Sequence, residues 1–478
     1  MAVGTDTGQL KGGRRGRPRW PGTPIPTADE VYGGLAEQAR QYPAFLESIV
    51  HPRDAFKKPE ALDRVRVLDC TTGMVIGHWA SSMLAELGAE VIQVEPPGGG
   101  DPLRQLTPFG RKEYMVKDRA RGEPVGLHFL HEMRNKYSVT LDLTKKVGRD
   151  VLKKLANHVD VIIENAPPGQ WDQWGIGYRQ LSKLNPRLVY AWVGQRGQWG
   201  PLKDKPGMRD PVAQAASGFV HGTGDPKEFG GRPTRSGMWV ADHVGGSAAA
   251  MGIVAALIHR ERTSGRGQFI EATAAEGIIR ILDYNWVWHG MDGSIRPRYG
   301  NWDLAINIYA VNPCKDGYMM VGGGHDRLWY RIWKTVGDEV PAAEEEIIAD
   351  PNLRNVSERL PHTRQVKTYT LLCEWLKDNT RAEAERKLVR QEVASGGVMA
   401  VHEVAEYPHF KYRGQVMEFD DQLYGKVLVG SSPNLAEKVP ARLKWLGRPV
   451  GHDNEEVFRR LLGFTRDDLA RLTKQEVI

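Results

Sequence analysis

Residues 64–95 read RVRVLDCTTGMVIGHWASSMLAELGAEVIQVE, and this stretch decides the fold. VRVLDC (65–70) and EVIQVE (90–95) are short β-branched runs of the kind that form buried strands. Between them Trp79, Met83, Leu84 and Leu87 recur at helical spacing and share one face. A strand, a helix and a second strand in so short a span make a parallel crossover unit. The pattern continues downstream. SVTLDL (138–143), DVIIEN (160–165) and LVYAWV (188–193) read as strands, and Val147, Val151, Leu152 and Leu155 as a helix face. The expectation is an α/β fold whose large domain is Rossmann-like, a parallel sheet wound with helices.

Outward from this core the chain changes character. The stretch around Asp283–Asn301, rich in Trp, Gly and Arg, breaks the alternation. The expected division is an N-terminal extension (1–60), a large domain (61–280), a linker (281–300), a smaller α+β domain (301–405) and a return segment (406–478) completing the large domain. VFRRLLGF followed by RDDLARL, from Val457 on, reads as a charged amphipathic helical finish. The first 26 residues hold ten Gly or Pro, so their start is expected to be disordered. Thr27 with Glu30 has the spacing of a capping box for a short helix before Pro43.

Composition narrows the function classes. With 478 residues, 41% hydrophobic and 26% charged, the chain excludes a disulfide-stapled mini-protein, a low-complexity chain and a coiled coil. Of the net charge of +6, Lys11, Arg14, Arg15, Arg17 and Arg19 against Asp6 supply +4. The remainder is too balanced for a nucleic-acid groove. The tail's RRGRPR resembles an AT-hook, but it is single and unrepeated, so no nucleic-acid partner is expected. Cys70, Cys314 and Cys373 are widely spaced, which fits a reducing compartment. MAVGTDTGQLKGG has no apolar h-region, and the apolar run Val244–Ile258 is 15 residues, short for a bilayer and rich in small residues. A cytoplasmic protein without a membrane partner is the expectation.

Several chemistries lack their signature. There is no GxxxxGK[ST], HExxH or GxSxG, and no Cys/His cluster with zinc spacing, so neither a metal nor a serine triad is expected. His128 and His131 read as surface or satisfied core residues, and Gly322-Gly323-Gly324 as a tight turn. Carboxylates remain. Asp242 sits at the head of the small-residue apolar run, and Asp210 precedes Pro211. Each has the context of a helix cap, and each has the context of a catalytic carboxylate.

From about Val65 to the end the chain resembles the family III CoA-transferases, the group of formyl-CoA and carnitine CoA-transferases. The carriers are residues 64–104, NKYSVTLDL (135–143), DVIIENAPPGQWDQWGIG (160–177), LNPRLVYAWVGQRGQWGP (184–201), DPVAQAASG (210–218), ADHVGG (241–246), ERTSGRGQFIEA (261–272) and GHDNEEVFRRLLGF (451–464). The resemblance implies transfer of CoA from an acyl-CoA donor to a free carboxylic acid. CoA is then a substrate, with no tightly bound cofactor. It implies Asp242 as the nucleophile, through an aspartyl-CoA thioester. It places Val75 and Ile76 in the pantetheine-contacting turn, and Leu141, Asp142, Asn165, Ala166 and Pro167 at CoA contacts on strand ends. Asp210 stands where formyl-CoA transferases have an active-site Glu. Two arginines that hold the CoA nucleotide there are replaced here by Pro96 and Gln173, and a glutamine near the reacting centre by Val75. Lys203, Lys205 and Arg209 are the nearest replacement cations. Arg104, Leu106 and Trp239 are the candidate acceptor contacts, with Leu106 where formyl-CoA transferases carry a tryptophan. A leucine there suits a bulkier acid, such as an aryl-substituted or branched dicarboxylate of the benzylsuccinate kind, with succinyl-CoA as donor. Two alternatives stand beside this reading: an α-methylacyl-CoA racemase, whose histidine position holds Arg209 here, and a non-catalytic subunit. The resemblance also implies an interlocked dimer, either a homodimer or a heteromer with a paralogous subunit.

Overall fold

The computed structural model describes residues 36–205 and 209–478. RRGRPR and the Thr27/Glu30 pair lie outside the described residues. The chain divides into two units, Met1–His51 and Pro52–Ile478. In the first, helix α1 (Ala36–Val50) runs through Pro43 instead of stopping before it. A proline removes one intrahelical donor, and here that loss does not end the helix.

The second unit is built on a six-stranded sheet. Its elements, in chain order, begin with β1 (Arg66–Asp69), α2 (Val75–Glu86), β2 (Glu90–Glu95), α3 (Leu127–Glu132) and β3 (Lys136–Thr140). They continue with α4 (Lys146–Ala156), β4 (Val161–Glu164), β5 (Val189–Gly194), α5 (Asp210–Ala216), α6 (Val240–His259), β6 (Phe269–Thr273) and α7 (Ala274–Arg280). The strand order is β3-β2-β1-β4-β5-β6, and every neighbouring pair is parallel. This is the doubly wound order expected of the Rossmann class, with its reversal between β1 and β4.

Alternation within each strand creates two cores. Val67, Val91, Val161 and Val189 face one side, where Ile76, Ala80 and Leu84 of α2 and Ala249, Ile253 and Ala256 of α6 cover them. Leu68, Ile92, Ile162 and Tyr190 face the other, under Val151, Leu152 and Leu155 of α4. Val147 is exposed, so that helix face is one residue shorter than its sequence pattern. Edge strand β6 escapes a sequence reading because FIEAT is only partly buried and gives no continuous apolar run.

The apolar run at 244–258 is the middle of a longer helix. α6 continues through a π-turn to Ser264, and Val240–Ser264 is long and apolar enough to cross a membrane by length and composition alone. Length therefore does not exclude a span, as the 15-residue run had suggested. Its packing gives it another place: every third or fourth residue, from Ala241 to Leu257, is buried within this unit. Gly245 and Gly246 set the closeness of that packing. A Cβ on Gly246 would stand 2.5 Å from the Ile76 carbonyl oxygen, and one on Gly245 2.9 Å from Ala274 Cα.

A smaller α+β region follows. β7 (Tyr309–Cys314), β8 (Gly317–Gly322) and β9 (Ala394–Gly397) form an antiparallel sheet with β8 central. Gly323 still donates to the Ile308 carbonyl, so the glycine run is a strand end rather than a tight turn. Helices α8 (Asp326–Gly337) and α9 (His362–Leu376) bury Trp329, Trp333 and Trp375. The last residues return to the large sheet. Val457, Phe458, Leu472 and Val477 join its second core, and Asp142 N–H donates to the Val477 carbonyl (2.8 Å).

Beneath the β1–α2 turn lies a buried charge network. His78 on α2 bridges Asp101 (Nε2–Oδ2 3.1 Å) and Asp69 (Nδ1–Oδ2 3.5 Å), and Lys136 on β3 reaches the same Asp69 oxygen at 3.4 Å. Burial opposes the charge on His78, yet Asp101 and Asp69 raise its pKa to about 9. Burial likewise opposes ionisation of Asp69, but Lys136, His78 and Ser81 hold it well below the usual carboxylate range.

This packing carries two stability predictions. Gly246→Ala should destabilise the fold by about 1–3 kcal/mol, because its new Cβ meets backbone. Gly252→Ala, whose Cβ meets only the Ile270 methyl at 3.4 Å, should be neutral or stabilising. Equal urea midpoints for the two would contradict the close approach. For His78 the folded pKa lies above the unfolded one. Its contribution is therefore full below about pH 6.5 and lost as pH rises through about 9, roughly 3 kcal/mol in all. His78→Gln should remove that basic-side loss from a urea-midpoint series between pH 6.5 and 10.

Candidate active site

The carboxyl ends of the parallel strands open into a cleft of about 750 Å³. It lies at the β1/β4 reversal, where neighbouring crossovers leave toward opposite faces of the sheet. Cys70 and Thr72 after β1, Leu141 and Asp142 after β3, and Asn165, Ala166 and Pro167 after β4 line it. Asn165 clamps the two loops: its Oδ1 accepts from Thr72 N–H (3.0 Å) and its Nδ2 donates to the Thr72 carbonyl (2.9 Å). Below the Asn165–Pro167 turn, buried Glu164 accepts from Ala166 N–H (2.6 Å) and the Tyr190 hydroxyl (2.9 Å), and burial pushes its pKa up to about 8. Lys203, Lys205 and Arg209 stand in the same lining.

Asp242 lies just past the cleft's inner end. Met74 and Gln195 line the cleft, and the next residue along, Val75, and the Gln195 side chain both touch this aspartate. Asp242 is the third residue of α6, with Trp239 at the N-cap, so its side chain does not cap its own helix. It turns instead to the start of α2. Oδ2 accepts from Val75 N–H (3.2 Å) and Oδ1 from Gln195 Nε2 (2.7 Å), leaving the residue 4% exposed. The Asp242 N–H in turn donates to Asp210 Oδ2 (3.0 Å), and Gln214 holds the other Asp210 oxygen (2.6 Å). Burial raises the Asp242 pKa and the nearby Asp210 charge adds to the rise, while the Gln195 and Val75 hydrogen bonds oppose it. The result is a shielded, more basic carboxylate beside a cleft sized for an extended ligand.

The geometry meets a known family. The model of CoA-transferase family III matches residues 62–454. The chain belongs to the family III CoA-transferases. It is 32% identical over 425 residues to the succinyl-CoA–D-citramalate CoA-transferase of Chloroflexus aurantiacus, covering 88% of this chain and 99% of that one. The beta subunit of that organism's succinyl-CoA–L-malate CoA-transferase is 32% identical, with 87% and 97% covered. The succinate–glutarate CoA-transferase of Agrobacterium fabrum is 30% identical, with 85% and 96% covered. Among solved structures, a CAIB/BAIF family protein from Brucella suis superposes with a TM-score of 0.73 at 27% identity, over 84% of this chain and 99% of that one. The chain is thus a CoA-transferase, and it acts on CoA thioesters as substrates.

Within this CoA-transferase the expected site residues separate. Leu141, Asp142, Asn165, Ala166, Pro167 and Arg209 share the cleft, and Val75, Asp210 and Asp242 form the adjoining carboxylate site. Ile76 does neither: it is wholly buried, and its carbonyl faces Gly246 on α6. Arg104 is also unavailable. Glu95 holds its guanidinium at two points (2.7 and 2.6 Å), the Arg448 carbonyl takes a third bond (2.9 Å), and Phe129 lies 3.8 Å beneath it. A buried bidentate pair of this kind holds structure together and leaves no charge for an acceptor. Leu106 is 38% exposed after a short 3₁₀ turn and does not line the cleft. Trp239 packs in one cluster with Val75, edge-on to His128 at 4.3 Å. Sequence reasoning missed Gln195 and Glu164. Gln195 lies within the family-like stretch 184–201 at the carboxyl end of a predicted strand, and that place was the signal that could have found it. Among the described residues no group of His, Cys, Asp or Glu is arranged to hold a metal ion.

Proposed function

We propose that the chain transfers CoA from succinyl-CoA to a dicarboxylic acid, with Asp242 as covalent nucleophile. The observation that carries this reading is the buried Asp242 carboxylate, held by two donors from other elements at the inner end of the cleft. The ionised carboxylate attacks the thioester carbonyl carbon, and the C–S bond breaks with its electron pair leaving on the CoA sulfur. The thiolate then adds to Asp242 Cγ and expels the donor's carboxylate, leaving an aspartyl thioester. The acceptor carboxylate reverses both steps. No proton is gained or lost, and the thioester energy stays in the site.

Asn165, Ala166, Pro167, Leu141 and Asp142 would hold CoA along the strand ends, with Lys203, Lys205 and Arg209 toward its phosphates in place of arginines absent at Pro96 and Gln173. A dicarboxylate is favoured because the relatives named above use succinyl groups with citramalate, malate or glutarate. The narrower acceptor, an aryl-substituted or branched acid such as benzylsuccinate, rests on Trp239 beside Asp242, since Leu106 stands outside the cleft, and belongs in the same substrate panel. Asp242→Ala should lower turnover at least roughly 10⁴-fold without loss of fold. Hydroxylamine added with succinyl-CoA should label Asp242 in the wild type. Wild-type turnover in Asp242→Ala, or label on another residue, would overturn the assignment.

We also propose the interlocked two-chain assembly and the chain division at 281–300 and 406. The segment between the domains exposes Trp286, Val287, Met291 and Ile295, an apolar surface suited to a second chain. Sedimentation at nanomolar concentration should still find a dimer, either of this chain or with a related subunit. A stable monomer after co-expression with candidate partners would count against it.

A further inference from the structure

Asp242 takes its shorter hydrogen bond from Gln195, a residue to which the sequence assigns no role. Gln195 is the first residue after β5, and its backbone carbonyl accepts from Ala275 N–H (3.1 Å), which ties it to the start of α7. Its side chain is buried, with Nε2 2.7 Å from Asp242 Oδ1. The amide orientation is dictated by chemistry, since an ionised carboxylate only accepts and the NH₂ end must face it. The other end, Oε1, is buried and has no hydrogen-bond partner among the described residues. Val75 offers the carboxylate only its backbone N–H, because its own side chain is 2% exposed and packed in the core. Among the described residues, the sole side-chain amide on this aspartate therefore comes from the end of β5.

We infer that Gln195 is a catalytic residue of CoA transfer, donating from Nε2 to the Asp242 oxygen on which negative charge develops when CoA thiolate adds to Cγ. In that step the sulfur lone pair forms the S–Cγ bond and the Cγ=Oδ1 π-electrons move onto Oδ1. As they return, the bond from Cγ to the acyl-bearing oxygen breaks, and the donor carboxylate leaves with that electron pair. The reverse step, acceptor attack on the thioester carbonyl, passes through the same charge on Oδ1. A fixed donor in a water-poor site strengthens as that charge grows and needs no reorientation. The inference rests on Asp242 as the nucleophile.

Gln195→Met tests it, because methionine keeps the side-chain length and removes the amide. Expected are a roughly 10²- to 10³-fold fall in kcat and a change in donor KM below about threefold. The acid limb of kcat/KM should also move to higher pH. Val75 N–H, Asp210 and His243 are the other groups facing this carboxylate, and loss of the Gln195 bond leaves burial and the Asp210 charge less opposed. A purely packing role would leave the acid limb in place and be rescued by methionine. Gln195→Glu, which keeps every heavy-atom position, covers the case in which the methionine variant does not fold. It too should lose kcat and move the acid limb upward. Wild-type kcat in either folded variant, or an unmoved limb, overturns the inference. Hydroxylamine labelling separates the two readings: a wild type not labelled at Asp242 removes the nucleophile, whereas slow labelling of Asp242 in the methionine variant supports the amide's role.

Discussion

A carboxylate withdrawn from water must find its donors in protein, and around Asp242 that requirement organises everything nearby. Its own helix cannot supply them, because its side chain points away from α6 toward α2. The Val75 N–H is one of the unpaired donors at the start of α2, so the aspartate serves as a foreign cap for that helix. Asp210 acts in the same way farther from the cleft, accepting the Asp242 N–H within the first turn of α6. Two helix starts and the end of β5 therefore meet at one side chain. They can meet only because Gly245 and Gly246 let α6 approach the backbone of α2 and α7. The sequence VADHVGG is thus one device: an acid, and a turn later the space that brings the acid its donors.

The turn that presents Val75 is itself held from below. Gly73 sits at φ +65°, a conformation that favours glycine, and its N–H donates to Asp101 Oδ2 (2.9 Å) while its carbonyl accepts from Arg209 (2.9 Å). Asp101 is the partner of His78, and Thr71 closes the other side through Asp69 (2.6 Å). Two buried carboxylates against one imidazolium and one ammonium leave the network near neutrality, the condition under which buried charges are tolerable. The site is placed by electrostatics beneath it as well as by packing around it.

How much of this is legible in the sequence depends on range. β1, β2, β4 and β5 are buried on both faces, so each reads as a short run rich in β-branched residues, and the helices between them mark parallel crossovers. β6 leaves no such run, since its residues are half-covered at a sheet edge. Asp242 reads equally as a cap or as a catalyst until the family resemblance intervenes, because an acid at the head of an apolar helix satisfies both patterns. Arg104 shows the harder limit. Its local context, an arginine after Gly-Asp, suggests a substrate contact, but its fate is set by Glu95 and by Arg448, far along the chain. Ile76 shows a similar limit, since its burial against α6 is set by a helix far along the chain and not by the turn's own sequence. Gln195 is invisible locally, because its importance consists in a contact 47 residues away.

The burial that makes Asp242 hard to ionise also gives the chemistry its advantage. On the proposed mechanism, an acyl anhydride or an aspartyl thioester at this position would be shielded from water, which would otherwise hydrolyse it. The same shielding raises the carboxylate's basicity and with it its strength as a nucleophile once ionised. Fewer donors would leave burial and the Asp210 charge less opposed and its pKa higher still. Too many would make it a stable, inert anion of the kind seen at Asp69, which Lys136, His78 and Ser81 all hold in the charged form. Two donors, one of them a neutral amide and the other a backbone N–H, with a second carboxylate close by, lie between these extremes. The contrast between Asp242 and Asp69, two buried aspartates beside one turn, is that burial prevails at the first and raises its pKa, while charged partners prevail at the second and lower it.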